Sequence, residues 1–225
     1  MDKAVWVSIF AALMTTVVTG AWSDAAAWVK EQVSGPPELK VHADDFMGCN
    51  DRYRSASLAE LKNRAKTATQ EGVIIPSAAN PPSVSATVQA KTSKAIVVTD
   101  AKVTVLSRRP LPTEGAVVKV TGCGGGLYPR PFEVDLTGSG TVEPDKSGRG
   151  RAKDFPFTVS SGDPEQFTFN VKHVRGDVRF AIVLTWVSDG ESGTTRLDNG
   201  GNGYRTMSRP DDLPQYRQVD LLGAD

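Results

Sequence analysis

Cysteine and histidine are scarce, with two of each in 225 residues. Two cysteines alone cannot make a structural zinc site, and His42 and His173 have no metal-ligand spacing to them. No metal and no cofactor is therefore expected. The first 48 residues hold no cysteine, which excludes anchoring through a lipidated N-terminal cysteine. Net charge is absent as well: 26 Lys and Arg balance 26 Asp and Glu. A general nucleic-acid binder needs a basic surplus to neutralise phosphates, so nucleic acid is not an expected partner. No G-x-S-x-G elbow occurs. Leucine, at 13, is outnumbered by 26 Val and 19 Thr, and a β-branched excess favours strands. With 39% hydrophobic and 23% charged residues, the chain is too apolar to be disordered.

Uncharged length is concentrated in one place. Ala4 to Trp22, AVWVSIFAALMTTVVTGAW, runs 19 residues without a charge. As a helix it would span roughly 28 Å, close to the hydrocarbon thickness of a bilayer. Trp6 and Trp22 lie near its ends, where indoles favour the interface. The expected reading is an uncleaved single-pass anchor with its N-terminus inside and the bulk of the chain outside. The alternatives are a secretory signal peptide, cleaved near Ala21 or Ala27 to release a secreted product, and a buried core helix.

After the run, Ser23 to Val33 can extend the helix, and Gly35-Pro36-Pro37 ends it. Residues 1–33 thus form an anchor with a helical extension, and 34–81 a connector. Within the connector Ser57-Leu58-Ala59-Glu60 has the form of a capping box. Leu58, Leu61 and Ala65 share one helical face, so a helix is expected from Leu58 to Gln70. Beyond Pro81 the period becomes two. Strands are expected at Val84–Ala90, Ala95–Leu106 (with a bulge or turn at Thr99-Asp100), Ala116–Thr121, Phe132–Leu136, Phe155–Val159, Phe167–Val171 and Val178–Val187. Two more flank Asp198–Gly203, which is read as a hairpin turn. On the strand 178–187, Val178, Phe180, Ile182, Leu184 and Trp186 should face the core. Eight or nine short strands with frequent turns predict a mainly β domain, an antiparallel β-sandwich of Ig-like or similar type, over 82–210. A polar tail follows at 211–225.

The segments GCGGGLYPRPFEVDLTG (122–138), DFPFTVSSGDPEQFTFNV (154–171) and FAIVLTWVSDGESGTTRLDNGGNGYRT (180–206) are together similar to a group of uncharacterised actinobacterial proteins. These have one transmembrane helix followed by an extracytoplasmic domain of this pattern, and some carry a helix-turn-helix domain ahead of the helix. The resemblance covers roughly 84–207, the position of Cys49 and the anchor. It implies architecture and almost no chemistry. Only three residues precede the run here, so the helix-turn-helix domain is expected to be missing.

Cys49 and Cys123 lie in Gly-flanked, loop-like surroundings, and an even number in an exported domain suggests one disulfide between them. The alternative is two isolated thiols behaving as small hydrophobes. GCGGG (122–126) lacks the Lys-Ser/Thr of a phosphate loop and reads as a tight turn. DNGGNG (198–203) would place Arg209 where a calcium loop needs its bidentate acid, so no calcium site is expected. His173 follows the alternation of Phe167–Val171 onto the apolar face and reads as a partly buried strand residue. The acid pairs Asp44-Asp45 and Asp211-Asp212 read as solvated. Arg149, Arg151 and Lys153 form a small basic cluster flanked by Glu143, Asp145 and Asp154; a contact with anionic lipid or wall polymer is its functional alternative. The expected function is a membrane-anchored, extracytoplasmic, non-enzymatic binding or interaction module, with a protein or cell-envelope partner. Two alternatives stand beside it: a sensory ectodomain of a membrane signalling system, and a cell-wall-associated hydrolase using carboxylates.

Overall fold

A computed structural model describes residues 37–120, 129–147 and 152–222 of the chain. The expected anchor at 4–22, the turn 122–126, Cys123, Arg149 and Arg151 lie outside the described residues. Among those described, no helix is long and apolar enough to cross a membrane.

The first four strands are β1 (Leu39–Ala43), β2 (Arg52–Arg54), β3 (Val73–Ile74) and β4 (Ser83–Ala90). Then come β5 (Ile96–Arg109), β6 (Ala116–Lys119), β7 (Pro131–Leu136), β8 (Thr141–Pro144) and β9 (Phe157–Val159). The chain continues through β10 (Glu165–Val174), β11 (Asp177–Ser188), β12 (Glu191–Leu197), β13 (Tyr204–Met207) and β14 (Gln215–Arg217). Two short helices, α1 (Leu58–Asn63) and α2 (Gln218–Leu221), complete the elements of the described residues.

The strands form two sheets. The five-stranded sheet runs β1-β4-β10-β7-β8; the nine-stranded one runs β14-β6-β2-β3-β13-β11-β5-β9, with β12 also paired to β11. Alternation explains how they meet. On β4, Val84, Ala86, Val88 and Ala90 are buried while the residues between them are not. On β11, Val178, Phe180, Ile182 and Leu184 are fully buried. Both sets belong to one apolar cluster with Phe132, Phe157, Phe167 and Phe169, so the fold is mainly β, two sheets around a shared core. Phe132 is central: Phe155 stacks on it at 4.7 Å and Phe169 at 5.6 Å between centroids.

The nine-stranded sheet reaches past this core. There α1, the turns after it and α2 cover Ala116 and Val118 with Leu61, Ala65, Ala68 and Leu221. Val117, one residue out of phase, instead joins Tyr53, Ile75, Met207 and Leu213. One short strand thus feeds two small clusters on opposite faces.

Several expectations change. The pairing is mixed, not purely antiparallel: β7 with β10, β3 with β13 and β6 with β14 are parallel. The region read as a connector supplies β1 to the five-stranded sheet and β2 and β3 to the other. The stretch read as a polar tail holds β14 and α2, with Leu213 and Leu221 buried. The capping box forms in full, with the Glu60 carboxylate accepting from the Ser57 N–H at 2.8 Å, but α1 stops at Asn63 and gives way to turns. Leu61, Ala65 and Ala68 are buried, while Leu58 is exposed.

Asp198–Gly203 is not a hairpin turn. β12 and β13 both run antiparallel to β11 along the same edge, with Leu197 opposite Ile182 and Tyr204 opposite Phe180. The six residues 198–203 are an excursion from what is nearly one continuous strand. Asn199, Gly200, Gly201 and Gly203 all have positive φ, and the Gly203 N–H donates to the Asp198 carbonyl at 2.7 Å to close the excursion. The tight hairpin lies earlier, at Asp189-Gly190 between β11 and β12, with φ of 52° and 82°. The bulge at Thr99 forms as expected, opposite Thr185/Trp186. That bulge and the nearby hairpin put Trp186 at the rim of the core, half-buried and not enclosed. Its ring lies over Gly193, where a Cβ would come within 2.2 Å of Cζ2, and its Nε1–H donates to the Thr195 hydroxyl at 3.2 Å.

Candidate functional site

A cluster of buried and half-buried ionisable groups lies on the outer face of the five-stranded sheet, where β7, β8 and β10 adjoin. Alternation brings it about. On β7, Phe132, Val134 and Leu136 point inward, leaving Glu133 and Asp135 outward. On β10, Phe167, Phe169 and Val171 point inward, leaving Thr168 and Asn170 outward, and both are also buried. Register then sets Glu133 beside Asn170 on one side and beside Glu143 of β8 on the other. Two acids directly opposite each other repel unless a cation intervenes.

A bulge supplies the cation. The pairing of β10 with β7 skips Lys172, so Val171 faces Val134 and His173 faces Asp135. The Lys172 ammonium donates to Asp145 at 2.8 Å and pairs with Glu133 at 2.9 Å. The same skip turns His173 out of the apolar row. It is exposed, with Nε2 3.6 Å from a Glu133 oxygen, and not partly buried as its spacing predicts. Bulges commonly re-aim side chains in this way.

Asp145 follows β8 and is nearly enclosed, 3% exposed. Its Oδ1 accepts from the Ser147 N–H at 2.9 Å as well as from Lys172, and its Oδ2 accepts from Asn170 Nδ2 at 3.3 Å. Burial pushes this carboxyl upward, but the hydrogen bonds from Lys172 and Ser147 outweigh it and hold the group at about 2. Burial likewise pulls Lys172 down, and Asp145 and Glu133 more than reverse that, raising it above the usual lysine value. Both partners are therefore fixed in their charged forms at neutral pH. Beside them opens a cleft of about 630 Å³, lined in addition by Glu143, Lys146, Lys153 and Asp154. The Lys153 ammonium also sits 5.4 Å from the Phe157 ring centroid.

The arrangement can bind and orient a polar ligand. A general acid of the glycosidase kind needs a carboxyl raised toward neutrality. Here Asp145 moves the other way. Among the described residues no group of three His, Cys, Asp or Glu side chains could hold a metal ion.

Other residues singled out from the sequence lie elsewhere. His42 is exposed, 3.6 Å from Asp44. Asp44 and Asp45 line a second cleft, of about 470 Å³, between β1 and the 198–203 excursion. There Tyr204 is buried, and burial raises its phenol above the ordinary value. Asp211 and Asp212 are exposed. Cys49 is disulfide-bonded; Cys123 lies outside the described residues. Next to Cys49, Asn50 Nδ2 donates to the Asn80 carbonyl at 2.7 Å, and Asn80 Nδ2 donates to the Cys49 carbonyl at 3.1 Å. The sequence does not mark Glu133, Asn170 and Lys172 as residues of one site. Their signal was there, as polar residues alternating with apolar ones, but the register that gathers them was not. No protein-family model and no curated protein matches the chain.

Proposed function

We propose that this chain is a binding module held at the outer face of a membrane, with the cleft beside Glu133, Asp145 and Lys172 as its recognition site. The observation that carries the reading is the mutual neutralisation in that cleft. A nearly enclosed carboxylate and a half-buried ammonium are locked together, which gives a rigid polar surface. Rigid strands and the exposed charges Glu143, Lys153 and Asp154 around them suit recognition of a polar cell-envelope component or protein. The hydrolase reading finds less support, since its two nearest carboxylates share one lysine and one of them is held near pH 2.

The membrane part of the proposal rests on the 19 uncharged residues from Ala4 to Trp22, taken as a retained single-pass anchor. The similarity to the actinobacterial membrane proteins points the same way. So does the engaged sulfur of Cys49, because disulfides persist outside the reducing cytosol. The chain has two cysteines, and we take Cys123 as the partner. Such a bridge would close a loop of roughly 75 residues, for about 4 kcal/mol in a chain-entropy estimate. Two titratable thiols in the unreduced native protein would overturn that pairing.

Protease treatment of intact cells tests the placement. Cleavage of the β unit, with a cytoplasmic marker spared, is expected; full protection overturns an outward orientation. Sedimentation of Pro37–Asp225 with insoluble cell-envelope material tests the recognition. Retention that falls at least severalfold in a Glu143→Lys/Lys153→Glu variant is expected, and unchanged retention removes the cleft from the reading.

A further inference from the structure

A second surface, far from this cleft in sequence, has a composition of its own. Six large hydrophobic side chains are strongly exposed among the described residues, and three of them, Leu58, Val219 and Leu222, belong to α1, α2 and its C-terminal edge. Val219 and Leu222 are each 51% exposed and stand three residues apart on one helical face. Between the end of α1 and the end of α2 lies a groove of about 380 Å³, with Leu221 and Leu222 on one wall. Every charged residue lining it is basic: Lys62, Arg64 and Lys66.

Among the described residues none of these three cations is in a direct ion pair. The neighbouring acids make their closest contacts elsewhere, although Arg64 lies near enough to Glu60 and Glu71 for its charge to help lower both carboxyls. Glu60 accepts from both the N–H and the hydroxyl of Ser57, Glu71 pairs with Arg54 at 2.7 Å, and Asp220 pairs with Arg217 at 2.7 Å. A protein with zero formal net charge thus concentrates unpaired positive charge beside its exposed aliphatic side chains.

We infer that this helical corner docks on the surface of an anionic lipid bilayer, with Val219 and Leu222 entering the headgroup boundary and Lys62, Arg64 and Lys66 facing the lipid phosphates. Apolar area and cationic charge on one face are the two terms that drive interfacial adsorption. The inference rests on the anchor reading in one respect: an anchored chain is always near a bilayer, so modest affinity suffices. Docking would fix which face of the β unit is turned to the membrane and which is left for a ligand.

The test uses Pro37–Asp225, which contains all three apolar clusters of the fold. The segment is sedimented with vesicles of phosphatidylcholine alone and with vesicles of equal phosphatidylcholine and phosphatidylglycerol. Binding to the anionic vesicles is expected, weakening as salt is added. Lys62→Gln/Arg64→Gln/Lys66→Gln should bind roughly a hundredfold more weakly, at the usual contribution of a basic residue near a charged membrane. Val219→Ser/Leu222→Ser should also lose binding while melting like the parent, since both side chains are already half in water. No binding to anionic vesicles, equal binding to neutral ones, or an unaffected triple variant overturns the inference. So does equally tight capture of soluble polyglutamate by the parent and the Val219→Ser/Leu222→Ser variant, which would assign the surface to an acidic polypeptide. Alkaline carbonate extraction of the full chain reads the anchor separately. A chain that resists extraction, with a segment that ignores vesicles, keeps the anchor and sinks the docking.

Discussion

The shared core between the two sheets and the helical corner at the end of the nine-stranded sheet are built by different means. The shared core draws mainly on long strands such as β10 and β11, which contribute three or four large side chains each at period two, and it gathers Phe132, Phe155, Phe157, Phe167 and Phe169 in mutual contact. The corner draws on strands of two to four residues and helices of six and four. Under the helices, its cluster is half alanine, with two leucines and a valine. Large rings in register resist rearrangement, whereas alanines and short helices can settle after a loss. The difference teaches where the fold is rigid and where it can adapt to a surface.

The largest expected effect tests the rigid half. Phe132→Ala should cost about 3–5 kcal/mol, because four neighbouring rings keep their positions around the vacated space. The check is denaturant unfolding. A cost near 1 kcal/mol would show that this core relaxes like the corner and would erase the contrast. Leu61→Ala, at the centre of the corner, should cost less, about 2–3 kcal/mol. Its signature is spatial: amide exchange should accelerate in 57–70 and 215–222 while β5 and β11 stay protected. Uniform acceleration would mean that the corner and the sandwich unfold as one unit.

Asp145 sharpens the comparison electrostatically. Its carboxyl is lowered from 3.8 to about 2, so it supports the folded state by about 2 kcal/mol at neutral pH. The sign follows from the depressed folded value. The support is complete above the unfolded value and is lost as pH falls from about 4 through about 2. Asp145→Asn should therefore be destabilised at pH 7, and the gap to the parent should shrink on acidification over that window. A gap independent of pH would assign the loss to packing, not to the Lys172 pair.

The same two halves differ in how plainly the sequence announces them. Val84–Ala90 alternates without exception, Val178–Leu184 keeps large apolar residues at every second place, and each is a strand with that face buried. The Thr99 bulge and the Ser57–Glu60 capping box were also legible, since both depend on neighbours in sequence. The corner was not. Arg52–Arg54 and Gln215–Arg217 are too short and too charged to show a period, and become strands only through partners far along the chain. The candidate site was half legible. Glu133 and Asn170 alternate with apolar residues, but only cross-strand register makes them neighbours, and no local signal marks Lys172 as the bulged residue. That one unread bulge is why His173 faces water. Likewise Asp198–Gly203 has every residue a hairpin wants, yet Leu197 and Tyr204 pair with the same strand, β11, and the turn composition serves an excursion instead.

The smallest expected effect lies at the entrance to the corner. Ser57 sits at the N-cap of α1 with extended backbone, and its hydroxyl accepts the backbone N–H three residues on. At six residues, α1 cannot hold itself by propagation alone, since nucleation dominates a helix of that length. Its first turn depends on the cap and on Leu61 docking against Ala116 and Val118. Ser57→Ala removes the cap and leaves the docking intact, so the cost should be about 1 kcal/mol. Ser57→Asp, which keeps an acceptor at that place, should restore most of it. Both variants should leave exchange in the sandwich strands unchanged. If Ser57→Ala is neutral while Leu61→Ala is costly, packing alone holds the helix. If Ser57→Ala instead approaches the cost of Leu61→Ala, the corner stands on its cap, and the groove between Lys62, Arg64, Lys66 and Leu222 is only as firm as that first turn.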